Sequence, residues 1–117
     1  MYSNNQRLSD PSTRELRLQA GLRLREWRHK RGLTQRELCR AVGARSHTLI
    51  SALESGRGRI PPNRYRIWAR ALGIEPQEFV RELMSYYDPV TYDALFGDEL
   101  SNGPVPAAAP ERAGLTA

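Results

Sequence analysis

The sequence predicts an all-α protein: a compact bundle of about five helices, with a short extra helix near the C-terminus and disordered ends. Apolar residues recur at helical spacing along the central chain, polar capping residues and glycines punctuate those runs, and β-type alternation is nowhere seen. With 117 residues and 39% hydrophobic side chains, the chain has material for one small core, since domains run to ~100–200 residues.

Residues 1–11 are polar and are expected to form a disordered arm. Ser12-Thr13-Arg14-Glu15 has capping-box spacing and should open the first helix. Leu16, Ala20, Leu24 and Trp27 line its inner face, and Gly32 should end it, with Arg17, Arg23, Arg28 and Arg31 on other faces. Gly21 interrupts this run and marks a second point at which an ordered helix can start.

Thr34 caps the next helix, again with Glu at the third helical position (Glu37); Leu38, Cys39 and Val42 face inward and Gly43 stops it. Ser46 starts a third helix, with Leu49, Ile50 and Leu53 on its buried side and Ser55-Gly56 at its close. After the loop Gly56-Arg57-Gly58-Arg59 and Pro61-Pro62, a fourth helix from about Asn63 to Leu72 turns Tyr65, Trp68, Ala69 and Leu72 inward. Glu75-Pro76 opens a fifth, whose apolar side is Phe79, Val80, Leu83, Met84 and Tyr87. Asp88-Pro89 caps a last short helix ending at Gly97, and the Pro-, Ala- and Gly-rich remainder reads as a disordered tail. The expected organisation is therefore an arm over 1–11, a helical domain over 12–74, an acidic, aromatic helical extension over 75–97 and a tail over 98–117.

Charge is unevenly placed. Residues 14–70 hold 15 basic and 4 acidic side chains, whereas residues 71–117 hold 2 basic and 8 acidic ones. Nearly all the cations are arginine, which forks onto phosphates and base edges. A basic body of this kind favours a polyanion, and nucleic acid is the commonest. Lone Cys39 excludes an intrachain disulfide or a cysteine-rich zinc site and fits a reducing compartment. The N-terminus has no signal-like apolar region, and no run approaches the ~18 apolar residues of a membrane span. A cytoplasmic protein with no membrane partner is expected.

The segment Gly32–Gly56, GLTQRELCRAVGARSHTLISALESG, is two short helices joined by a tight glycine-containing link. That is the plan of a helix-turn-helix. Thr34 and Gln35 sit at the positive dipole end of its first helix, toward phosphate. Ile50 and Leu53 anchor the second helix and leave His47, Thr48, Ser51 and Ala52 facing outward. Small Cys39 suits a close helix crossing.

Residues 21–74, with the words GLRLREWRHKRGLTQREL, LISALESGR and ALGI, resemble the Cro and phage-repressor type helix-turn-helix proteins, the XRE family. The resemblance implies a bundle of four or five helices whose third enters the DNA major groove, commonly as a dimer on two half-sites. It also implies a bacterial or phage protein, nucleoid-associated when bound. The turn departs from the family, because Gly43 to Glu54 is one residue longer than usual. Aligning backward from Glu54 puts Arg45 in an enlarged turn.

The reading that follows is a sequence-specific transcription regulator of double-stranded DNA that uses no cofactor. Base contacts are expected from Arg45, His47, Thr48, Ser51 and Ala52, and phosphate contacts from Thr34, Gln35, Arg36, Arg57 and Arg59. An apolar contact from Leu49 or Ala52 to a thymine methyl would accompany them. Glu54 is expected to brace the fold toward arginine side chains rather than to read cytosine. Cys39, Trp27 and Trp68 are read as core and His29 as solvated. Neither histidine has a partner at metal-ligand spacing. No nucleophile–base pair or phosphate-cradling Gly motif suggests an enzyme.

The other class is an antitoxin or coactivator-type adaptor. Residues 75–97 carry Phe79, Val80, Leu83, Met84, Tyr86, Tyr92 and Phe96, more than one amphipathic helix buries. They are expected to form a protein interface, either a homodimer contact or a docking surface for another transcription protein or a toxin.

Overall fold

The computed structural model describes residues 12–102, with side chains described as far as Gly97. The arm over 1–11 and the tail from 103 onward lie outside the described residues. Six α-helices follow one another: α1 Thr13–Arg31, α2 Gln35–Val42, α3 His47–Glu54, α4 Tyr65–Leu72, α5 Pro76–Tyr87 and α6 Pro89–Asn102, with one 3-10 turn at Pro62–Arg64 before α4. No strand occurs among the described residues, and the all-α expectation holds.

The helix starts are where side-chain oxygens can take the free N–H groups of a first turn. Ser12 and Glu15 close a capping box on α1, and Thr34 and Glu37 close a second on α2. The Ser46 hydroxyl accepts from the Thr48 N–H at the start of α3. Gly43 ends α2 with φ of 71°, a left-handed conformation that a β-carbon disfavours. Pro62 accounts for the tight 3-10 turn that precedes α4, since proline is at home in a first turn.

Residues 12–87 form one unit around a single core. Leu24, Leu38, Val42, Ile50, Ile60, Phe79 and Leu83 are fully buried in it, joined by Ala20, Trp27, Cys39, Leu53, Trp68, Ala69, Leu72 and Tyr87. The Trp27 and Phe79 ring centroids lie 5.3 Å apart, and Tyr65 meets Phe79 edge-on at 6.5 Å. Cys39 is buried, its Sγ 3.4 Å from the Ala44 carbonyl. The buried Tyr87 hydroxyl accepts the Ile60 N–H at 3.2 Å, and burial pushes its phenol above the ordinary tyrosine range. On the outside, Arg23 of α1 grips Glu82 of α5 at 2.6 Å, and the Tyr86 hydroxyl donates to the same carboxylate.

Four expectations need correction. Gly21 neither breaks nor delays α1, which is continuous from Thr13. A β-carbon at Gly21 would stand 2.4 Å from the Glu54 carbonyl oxygen, so the glycine is where α1 passes against the end of α3. Arg28 does not face outward: it is buried against Glu54. Leu49 is not on the buried side of α3 but 48% exposed. The last helix does not stop at Gly97, which lies inside α6.

The segment 75–97 also divides in two. Its first part, α5, puts Phe79 and Leu83 at the centre of the core and belongs with the bundle. Residues from Asp88 onward form the second unit, in which Asp88 accepts from the Thr91 N–H and hydroxyl and Tyr92 packs on Phe96 with centroids 5.2 Å apart.

Candidate nucleic-acid interface

The candidate recognition helix is α3, and the bundle fixes it from one side only. Ile50 and Leu53 are sunk in the core, so the opposite side of this two-turn helix points away from α1 and α2. Arg45, in the link before it, and Thr48 and Leu49 in its first turn are exposed; His47, Ser51 and Ala52 are half-buried. The Ser46 and Thr48 hydroxyls are in direct hydrogen-bond contact, so the cap occupies part of the polar capacity of this turn.

Glu54 is the bolt that orients the helix pair. Its carboxylate receives Arg28 Nε at 2.6 Å, Arg28 Nη2 at 3.1 Å and Gln35 Nε2 at 3.1 Å. Arg28 Nη1 also donates to the Leu33 carbonyl at 2.8 Å. Side chains from α1, α2 and α3 thus meet at one charged knot whose two ionic members are 8% and 6% exposed. Charges so deeply placed persist only when paired and hydrogen-bonded. The expectation that Glu54 braces the fold toward an arginine holds.

The same knot brings the start of α2 beside the end of α3. Thr34 and Arg36 are therefore near the loop that leaves α3, where Arg57 and Arg59 stand exposed. The Thr34 oxygen accepts from the Glu37 N–H, which leaves its hydroxyl proton free to donate. Gln35 is committed inward to Glu54 through its amide nitrogen. Arg57 donates its backbone N–H to the Ala52 carbonyl at 2.8 Å, which folds the loop against the last turn of α3. Arg59 lies over the Tyr87 ring at 4.6 Å and donates to the Tyr65 hydroxyl, so its guanidinium is held rather than loose. Arg45 and His47, by contrast, stand at the opposite end of α3.

Not every cation of the basic body is available to a partner. Arg23 and Arg28 are ion-paired, and the Arg64 guanidinium donates to the Val42 carbonyl at the C-terminus of α2, where positive charge is favoured. Sequence reading missed these roles. The signal for Arg28 was present, since it follows Leu24 by four residues and adjoins Trp27 on the inner face. Nothing in the sequence marks Arg64 as the partner of a carbonyl 22 residues earlier.

No group of three or more His, Cys, Asp or Glu side chains suited to a metal occurs among the described residues. No described helix is long and apolar enough to cross a membrane. Residues 19–83, more than half of the chain, match the helix-turn-helix domain family, in keeping with the resemblance read over 21–74. A comparison with curated proteins finds no match.

Proposed function

Because the chain belongs to the helix-turn-helix domain family, and so to the DNA-binding regulators, we propose that it recognises a specific double-stranded sequence by seating α3 in the major groove. The observation that carries this reading is the outer side of α3, which the bundle leaves open with Thr48 and Leu49 exposed in its first turn and exposed arginines before and after the helix. A groove of ~12 Å admits one such helix. Arg45, His47, Thr48, Ser51 and Ala52 face the base edges. Thr34, Arg36, Arg57 and Arg59 hold the flanking phosphates, with Gln35 positioning α2 through Glu54.

The test compares His47→Ala, Thr48→Ala and Ser51→Ala on a duplex enriched from a random library and on unselected DNA. Each substitution is expected to cost ~1–3 kcal/mol on the enriched duplex and much less on unselected DNA. Equal losses on both would mean that these side chains only position the backbone.

The bound form is a homodimer on two half-sites about one helical turn apart. Its contact, or that of another transcription protein or a toxin in the adaptor reading, lies in the second unit. There α6 leaves Val90 80% and Leu95 61% exposed on an acidic helix that DNA would repel. Truncation after Tyr87 keeps the whole core and is expected to preserve half-site binding while abolishing dimer mass or partner capture. A truncated chain that keeps full-length mass and operator cooperativity would rule out α6 as the interface.

A further inference from the structure

Leu49 is the one large apolar side chain left open on the helix-turn-helix pair among the described residues, with nearly half its surface exposed. Its neighbour Ile50 is fully buried, so the exposure is not looseness of the helix. It lies in the first turn of α3, the part of a recognition helix that meets base edges. An exposed leucine there gains nothing in the free protein and adds no charge toward phosphate.

The side chains around it decide what it touches. Arg45, in the link before α3, and Thr48 beside it are exposed, and Arg45 gives this end of the helix its positive charge. The Thr48 hydroxyl, engaged with Ser46, keeps part of its hydrogen-bonding capacity for a polar contact beside the leucine. Ala52, one turn later, is half-buried. In the major groove the sole apolar group on a base edge is the pyrimidine C5-methyl, natively that of thymine.

Resting on the major-groove reading above, we infer that Leu49 is a specificity-determining residue that packs on the C5-methyl of a thymine in the half-site. Ala52, half-buried and with a single methyl, offers the smaller apolar contact. Polar contacts then set the register, and the leucine selects T over C at one or two positions.

The experiment starts from the duplex enriched by the full-length chain. Each thymine is replaced singly by deoxyuridine, which removes only the methyl, and affinity is measured for the wild type and Leu49→Ala. At one or two positions, uracil is expected to weaken wild-type binding roughly three- to tenfold, the scale of burying one or two carbon groups. Leu49→Ala should lose the same factor on the thymine duplex and then be indifferent to uracil at those positions. Cytosine there should bind less well than 5-methylcytosine, which separates the methyl from the rest of the base.

Alanine is a better helix former than leucine, and a thermal melt of the variant checks that the fold is unchanged. If Leu49→Ala stays as sensitive to every uracil as the wild type, the inference is overturned while base reading by the other side chains stands. If no sequence is enriched at all, the proposed function fails and this inference with it.

Discussion

Glu54→Ala is expected to lower folding stability by about 3–5 kcal/mol, the cost of leaving one member of a buried ion pair without its partner. The Arg28 guanidinium would keep its bond to the Leu33 carbonyl but lose both contacts to the carboxylate, and Gln35 would lose its acceptor. Against a total of about 5–15 kcal/mol for a domain, that is about a fifth or more of the margin. Urea unfolding of Glu54→Ala, Arg28→Ala and the double variant makes the check. The two single losses should not add, because each removes the same interaction. A loss under about 1 kcal/mol, typical of an exposed pair, would contradict the knot. Since Glu54 is also the last residue of α3, DNA affinity should fall along with stability.

Gly21→Ala is the second large effect, and its sign opposes intuition. In a helix interior alanine is favoured over glycine by about 1 kcal/mol. Here the added carbon would lie 2.4 Å from the Glu54 carbonyl oxygen and 2.7 Å from that of Leu53. Both are backbone atoms at the end of α3, so neither can swing aside and the two helices must separate. Overpacking of this kind costs about 1–3 kcal/mol or more, and we expect a net loss of about 2 kcal/mol or more. For a domain of this size that lowers the melting temperature by roughly 10 °C. An unchanged or raised melting temperature would show that α1 and α3 do not cross so closely.

These two residues mark the boundary of what the sequence discloses. Local chemistry was legible: Ser12, Thr34 and Ser46 cap helices because their side chains reach free N–H groups within three residues. The glycines at 32 and 43 stop helices for equally local reasons. Periodicity likewise placed Leu24, Leu38, Ile50 and Phe79 in the core. Gly21 was misread because its meaning lies in a neighbour 33 residues away, and a glycine within a helix looks the same whether it loosens the chain or admits another helix. Leu49 was misplaced because α3 has only two turns, and so short an apolar pattern tolerates two assignments of its inner side. Gly97 was given the force of a stop that α6 does not obey. The outer face of α3 could be anticipated from its buried one, whereas the inward commitments of Gln35, Arg28 and Arg64 needed the tertiary structure.

The central claim is that this chain grips duplex DNA through α3 and the arginines at its ends. Its most direct measurement is affinity for the enriched duplex as a function of salt, for the wild type, Arg57→Ala and Arg59→Ala. Arg36, Arg57 and Arg59 neutralising one phosphate each give a log–log slope of about −2.7 per protomer, and each loop substitution should make it shallower by about 0.9. The two variants should weaken binding to enriched and unselected DNA alike. A wild-type affinity that does not change with salt would contradict the account.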